Sequence, residues 1–440
     1  MDGPPYLPRM HASQSLLDEL SWRGLVYQHT DGLADALKAG EVTAYAGFDP
    51  TGPSLHVGSL IPVIGLAHLQ RAGHRPIALV GGGTGLIGDP SGKSSERQLI
   101  SPAEVEQNAR SIEEQLRLFL DFTGPKAARM RDNAAWLTRL GAVEFMREVG
   151  KHFTVNYMLA KESVNSRIES GISFTEFSYM LLQAYDFLEL NRREGATLQI
   201  GGSDQWGNIT AGLELIRRVE GKTAHALTMP LVTTATGTKF GKTESGAVWL
   251  DPKMTTPYKF YQFWINVDDR DIGKYLRYFT LLTRAQVEEL DETVATAPEK
   301  REAQQALARD VTSRVHGDEA ASVAEEVSRV LFGKADPSSL TEPVLRALSE
   351  EVPFASAPTA PSITDALVTL KLVPSKSAAR RLLDQGGVYV NGNRVAPETD
   401  LSSTPPLAGG YHLLRKGAKD YGLLRTGGQV TASAVQESPG

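Results

Sequence analysis

Apolar and polar positions along this chain alternate between two periods, and their order predicts an α/β protein. Residues 42–46 are a short run of β-branched, small and aromatic side chains, suited to a strand ending at Ala46. A loop dense in Gly47, Pro50, Gly52 and Pro53 follows. From Leu55 the apolar residues Leu60, Val63, Ile64, Leu66 and Leu69 read as a mostly buried helix, stopped by Gly73. Pro62 must sit in or near its first turn or kink it. Arg75 to Val80 is a continuous apolar strand, as in a parallel sheet covered on both faces, and it closes a right-handed βαβ crossover. Residues 15–40, about 103–121 and 142–150 read as helical, with Asn133 and Trp136 on a connection.

The stretch Phe174 to Leu190 predicts a helix that is apolar around most of its circumference. Its exception is a stripe of Glu176, Tyr179, Gln183 and Asp186 at i, i+3, i+7 and i+10. Such a stripe is either the helix's wet face or the lining of a pocket, and we read it as a lining. Thr197 to Ile200 is the next strand, followed by the polar run Gly201 to Asn208 and a helix to about Val219. A further strand is expected near Thr228 to Thr233, before a loop, 236–246, that carries Lys239 and Lys242 with Phe240 as its apolar anchor. Polar residues thus gather beyond the carboxyl ends of strands, where open α/β sheets bind ligands.

From Thr256 and Pro257 the chain reads as helical to about Leu331, and the proline-rich stretch 334–361 as a linker. Helices from Ile363 and Ser375, a hairpin on Asn391 and Gly392, and strands at Tyr411 and Tyr421 make up the last module. The expected domains are an N-terminal extension 1–14, a doubly wound parallel-sheet domain 15–250 and an α-helical domain 251–335. A linker 336–361, a small α+β module 362–428 and a flexible tail 429–440 complete them.

Charge changes this picture at one end. The chain of 440 residues has a net charge of −6, yet residues 361–427 carry nine Lys and Arg against five acids, +4 in all. The net charge on its face argues against a nucleic-acid partner, so a small basic module on an acidic body is a pattern that needs explaining. Cysteine is absent, and the nine histidines show no helical zinc spacing. No apolar run reaches the ~18 residues of a membrane span, and the N-terminus lacks a signal-peptide pattern. A cytoplasmic protein is the expectation.

Three phosphate-binding patterns compete. Gly83, Gly85 and Gly88 match the dinucleotide fingerprint after a strand, but no helix follows. Gly88 to Ser94 and Gly237 to Thr243 each resemble a P-loop one residue short, again without the helix that loop needs. None of the three is accepted.

Taken together, the motifs resemble one family. His56, Val57 and Gly58 after a strand, with Lys239 to Thr243 far downstream, resemble the paired ATP motifs of class I aminoacyl-tRNA synthetases. Residues 47–51, 81–97, 174–186 and 201–208 narrow the resemblance to the bacterial tyrosyl-tRNA synthetases, from about Trp22 to Arg425. The last module resembles the S4-type RNA-binding domain of that family. The family's first motif usually ends in a second histidine where this chain has Ser59.

The resemblance implies a Rossmann-like fold, ATP as substrate with Mg²⁺, no tightly bound cofactor and no resident metal. It implies L-tyrosine and tRNA(Tyr) as partners, a homodimer formed through the catalytic domain, and no membrane. Thr51, His56, Lys93, Arg97, Lys239, Lys242 and Thr243 would act in catalysis. Tyr45 and Asp186 would hold the phenol, with Tyr179, Gln183 and Asp89 around the ammonium, Gln199 nearby and Gln205 at the carboxylate. Gly47, Asp49, His56, Gly58, Ser59, Gly202, Asp204 and Lys242 would meet ATP. Lys376, Arg380, Arg381, Arg415, Lys416 and Lys419 would contact tRNA. Asn133 and Trp136 would lie on the dimer-facing side. Two rivals share parts of this pattern: a tryptophanyl-type synthetase, and an RNA-binding protein on an inactive scaffold.

Overall fold

The computed structural model describes residues 15–91, 99–165, 167–168, 171–238, 240–243, 246–397 and 399–427, with backbone alone at Ser163, Lys242 and Thr243. The chain divides into two compact units, Met1–Thr256 with Phe263–Val315, and Pro257–Gln262 with His316–Gly440.

The first unit is built on a six-stranded sheet. In chain order its strands are β1 (Gln28–His29), β2 (Thr43–Phe48), β3 (Arg75–Val80), β4 (Arg129–Asp132), β5 (Ala196–Gly202) and β6 (His225–Met229). Their spatial order is β1-β6-β5-β2-β3-β4. All pairs are parallel except β1 with β6, which is antiparallel. The strand order reverses at β2, between β5 and β3, and that switch point opens a crevice at the carboxyl ends of the strands. Tyr45 lies opposite Ile77 on one side and Gln199 on the other.

The Leu60–Arg71 helix buries eleven residues, because it packs on a sheet that is itself covered on both faces. Pro62 falls in its first turn, where a missing N–H costs nothing. Two expectations shift. Residues 15–40 form two short helices, Leu16–Trp22 and Leu33–Ala39, because Gly24 and Gly32 between them adopt φ of 73° and 78°. The strand expected at Thr228 to Thr233 ends at Met229, since Pro230 offers no N–H to continue the ladder.

The second unit carries a five-stranded sheet in the order β11-β10-β12-β13-β9. Its strands are β9 (Phe354–Ala357), β10 (Val388–Val390), β11 (Asn393–Arg394), β12 (Tyr411–Lys416) and β13 (Asp420–Thr426), numbered after a small hairpin, β7 (Lys242–Thr243) and β8 (Gly246–Ala247), in the first unit. The stretch read as a linker instead holds a helix, Glu342–Ser349, and strand β9, which runs parallel to β13. Pro343 takes the first turn of that helix and Pro353 precedes the strand, so both prolines sit where they break nothing. One apolar cluster packs Leu414 and Leu424 with Ile363, Leu367 and Leu383; another packs Leu413 and Leu423 with Val327, Val344 and Leu348. Alternation along β12 and β13 therefore feeds two cores, one on each face of the sheet. Asn391 and Gly392 turn the β10–β11 hairpin with φ of 50° and 86°, as a type I′ turn requires. Among the described residues no helix is long and apolar enough to cross a membrane.

Candidate active site

A cavity of about 570 Å³ lies at the carboxyl ends of β2 and β5. Its floor begins at Tyr45, which is 1% exposed and packs edge-on against Phe187 at 5.1 Å. The Tyr45 hydroxyl is buried and has no hydrogen-bond partner among the described residues. Asp186, 2% exposed on the Phe174–Glu194 helix, lines the same cavity. Asn133 Nδ2 donates to one of its oxygens at 2.8 Å and Trp136 Nε1 to the other at 2.7 Å. Burial pushes the Asp186 carboxyl up to about 8, against the pull of those two donors. Burial, with Asp186 beside it, also raises the Tyr45 phenol well above its ordinary range.

Asn133 and Trp136 are thus both buried and orient Asp186. A signal for them existed. They follow β4 as the other polar runs follow β2, β3 and β5.

The rest of this end is equally bonded. Tyr179 donates its hydroxyl to Asp49 Oδ2 at 2.7 Å, and Thr84 Oγ1 donates to Asp49 Oδ1 at 2.7 Å. Burial and the Asp49 charge hold the Tyr179 phenol well above its ordinary range. Thr84 was missed by sequence reasoning, although it belongs to the glycine-rich loop. A Cβ on Gly81 would stand 2.1 Å from Asp49 Oδ1, so the loop needs glycine there to let Asp49 and Thr84 meet. Asp89, Gln183 and Gln205 line the cavity and are linked to one another, while Gln199 Oε1 is buried without a partner among the described residues.

The remaining wall is made of strand ends and the turns that follow them. Gly47, Asp49, Thr51, Gly58 and Ser59 line it, as do Gly202 and Asp204. A Cβ added at Gly47 would meet nothing within 4 Å, so that glycine leaves open space rather than fitting a tight pack. Ser59 precedes the Leu60–Arg71 helix without spending its side chain as a cap. His56 is not among the lining residues; its ring packs 6.1 Å from Trp249 and would strike a Cβ on Gly58 at 2.8 Å.

Backbone stitching brings the two distant motifs together. Val57 N donates to Val248 O at 3.0 Å, Val248 N to Gly241 O at 3.0 Å, and Leu250 N to Leu55 O at 2.9 Å. Gly241, at φ 77°, comes so near that a Cβ would stand 2.7 Å from Val57 Cγ2. Phe240 fixes the loop by packing among Phe263, Trp264, Tyr275 and Phe279, with ring centroids 4.9–5.7 Å apart. Lys93, Arg97 and Lys239 lie outside the described residues, and so do the side chains of Lys242 and Thr243, whose backbone forms β7.

In the second unit, Arg380 and Arg381 are exposed on the Lys376–Asp384 helix. Lys376 pairs with Asp365 at 2.5 Å and Lys416 with Asp420 at 2.9 Å. Arg415 lies over the Tyr389 ring at 4.1 Å, and Lys419 is exposed beside β13.

A parallel sheet with a polar crevice at its switch point, entered by a glycine loop and a lysine loop, is the plan of a nucleotide-using α/β enzyme. The family described as tRNA synthetases class I (W and Y) matches residues 37–333, and a tyrosine–tRNA ligase SYY-like C-terminal domain matches residues 345–424. A tyrosine–tRNA ligase of Roseiflexus castenholzii is 56% identical over 421 residues, 93% of this chain and 99% of that one. The chain belongs to the tyrosine–tRNA ligases of the class I synthetases. A truncated mitochondrial tyrosyl-tRNA synthetase of Aspergillus nidulans superposes with a TM-score of 0.66 at 30% identity, covering 72% of this chain and 94% of that one. A tryptophanyl-tRNA synthetase of Encephalitozoon cuniculi shares the fold at a TM-score of 0.52 and 15% identity, over 70% of this chain and 87% of that one. Fold alone therefore does not separate the two amino acids.

Proposed function

We propose that this chain activates L-tyrosine with ATP and transfers it to tRNA(Tyr), using the residues gathered at the cavity. A carboxylate oxygen of tyrosine attacks the α-phosphorus of ATP, the bond to the bridging oxygen breaks, and pyrophosphate leaves. A ribose hydroxyl at the tRNA 3′ end then attacks the tyrosyl carbonyl and AMP departs. The substrate supplies the nucleophile, so positioning and charge stabilisation carry the rate.

One observation favours tyrosine: the buried, unpartnered Tyr45 hydroxyl beside an Asp186 already held by two donors. A phenol can accept from Tyr45 and donate to Asp186 at once. An indole has a single N–H and no acceptor, and phenylalanine leaves the Tyr45 hydroxyl unpaired at a cost of about 1–3 kcal/mol. Tyr179, Gln183 and Asp89 would take the ammonium and Gln205 the carboxylate, with Gln199 near the ring. Gly47, Asp49, His56, Gly58, Ser59, Gly202 and Asp204 would meet ATP. Thr51, His56, Lys93, Arg97, Lys239, Lys242 and Thr243 would stabilise the leaving pyrophosphate. Mg²⁺ would be carried mainly by the nucleotide's phosphates.

The basic residues of the second unit, Arg380, Arg381, Arg415 and Lys419 foremost, would hold the tRNA backbone in an S4-like manner. Exposed Val143, Met146, Val155 and Phe174 on the first unit favour a homodimer. We place the protein in the cytoplasm. The test is ATP–pyrophosphate exchange measured with each amino acid separately. Exchange driven by tyrosine is expected; exchange driven by tryptophan, or by neither, would overturn the reading.

A further inference from the structure

Behind the amino-acid end of the cavity, a relay of side-chain amides runs in a direction that chemistry fixes. It ends at Asp89, whose carboxylate can only accept. The Gln205 atom 2.6 Å from Asp89 Oδ2 is therefore its Nε2, and its Oε1 faces back. Both groups that meet this oxygen must donate: Gln183 Nε2 at 3.2 Å and Asn208 Nδ2 at 3.3 Å. Gln183 Oε1 in turn accepts from Asn208 Nδ2 at 3.0 Å. Asn208 Nδ2 also reaches Ser91 Oγ at 3.2 Å, and the Ser91 N–H closes on Asp89 Oδ1 at 2.9 Å.

Asn208 sits on the Trp206–Glu220 helix, 2% exposed, and is not among the residues lining the cavity. It is too deep to touch a ligand, yet it is the source of the relay. We infer that Asn208 is a positioning residue that, from the end opposite Asp89, locks the polarity of the amino-acid site, making it a receptor for a primary ammonium group. The donors of Gln183 and Gln205 point along the relay toward Asp89. Acceptor capacity is what remains at Gln183, which lines the cavity. Tyr179 agrees with this polarity, since its hydroxyl hydrogen goes to Asp49 and its oxygen is left as an acceptor. The inference rests on the reading of the cavity as an amino-acid site.

Reversing the source should reverse the relay. A carboxylate at position 208 cannot donate, so Gln183 would turn its NH₂ inward and Gln205 would present its carbonyl to Asp89, oxygen against oxygen. The experiment compares binding of L-tyrosine and of 3-(4-hydroxyphenyl)propionate, which lacks only the ammonium, to the full-length protein. Asn208→Asp is expected to weaken tyrosine by about ten- to a hundredfold, the range of one buried polar group left unsatisfied. The des-amino analogue should change by less than about threefold, the KM for tyrosine should rise, and kcat in exchange should hold. Ser91→Ala keeps every bond between Asn208 and the glutamines, so tyrosine binding should stay within about threefold. If Asn208→Asp does not fold, Asn208→Ala takes its place: it removes the donor that holds Gln183 Oε1, and a loss selective for tyrosine, of the same sign and smaller size, is expected. Equal loss of both ligands, or tyrosine binding unchanged in a folded variant, would overturn the inference. A wild type that binds neither ligand would overturn the amino-acid reading itself, and the inference with it.

Discussion

The two ends of the cavity are built on opposite plans. At the proposed amino-acid end most of the polar groups are bonded to one another before any ligand arrives, with the Tyr45 hydroxyl and Gln199 Oε1 the exceptions among the described residues. Asp186 is held by Asn133 and Trp136, Asp49 by Tyr179 and Thr84, and Gln205 by Gln183 and Asn208. At the proposed nucleotide end the groups sit where β2 and β5 run out and at the start of the Leu60–Arg71 helix, and the lysine loop is pinned chiefly by its Phe240. A site that must recognise one small molecule gains from rigidly held partners, because a wrong ligand then leaves a buried group such as the Tyr45 hydroxyl unpaired. A site that must stabilise charge appearing on pyrophosphate gains from groups that engage as the charge develops.

If that contrast holds, substitutions at the two ends should separate in kinetics. The largest effect is expected at the loop end. Lys242→Ala should slow adenylate formation by about 3–4 kcal/mol, a hundred- to a thousandfold, and leave the tyrosine Kd nearly unchanged. Stopped-flow measurement of adenylate formation beside equilibrium tyrosine binding checks it; a steep rise in Kd with an unchanged rate would erase the contrast.

The next effect is a pH profile at the rigid end. Burial raises the Asp186 carboxyl from 3.8 to about 8 in the folded chain, so it carries a proton in the ligand-less cavity over that window. The unfolded chain binds fewer protons there, so stability without ligand should fall as pH rises from about 4 to 8. Tyrosine needs the ionised form to accept its phenol hydrogen. Its affinity should therefore climb with pH toward 8 and then level, by at most about tenfold per unit, the 1.36 kcal/mol of one pKa unit. Phenylalanine should show no such slope, and Asp186→Asn should abolish it for tyrosine. A flat tyrosine profile would mean that the phenol does not meet Asp186.

Tyr45→Phe should produce the smallest effect, because it removes one neutral hydrogen bond. A loss of roughly 0.5–1.5 kcal/mol in kcat/KM for tyrosine is expected. The preference for tyrosine over phenylalanine should narrow, since one unpaired group is gone. An unchanged ratio in pyrophosphate exchange would remove Tyr45 from the phenol site.

Much of this was legible in the chain. The i, i+3, i+7, i+10 stripe put Tyr179, Gln183 and Asp186 on one line because a helix repeats every 3.6 residues, and all three line the cavity. Glu176, the fourth member, instead faces Arg167 at 3.1 Å in a buried pair, where the stripe leaves the cavity. Periodicity names a face but not where along it the pocket stops. The parallel sheet was readable from apolar runs such as Arg75 to Val80, which only a doubly covered strand tolerates.

Other features were decided by the tertiary structure. Asn133 and Trp136 lie about fifty residues from Asp186, and nothing local in either stretch says that one donates to the other. Asn208 looked like the tail of a glycine-rich run until the fold set it behind two glutamines from different helical turns. The proline-rich stretch 334–361 read as a linker because proline breaks interior structure, yet β9 finds its partner in β13, about seventy residues away. The physical reason is the same in each case. Propensity and period act over a few residues, so the sequence determined which elements form and which face each presents. A hydrogen bond between side chains, or between an edge strand and its partner, depends on the register of packed elements, and that exists once the chain has closed on itself.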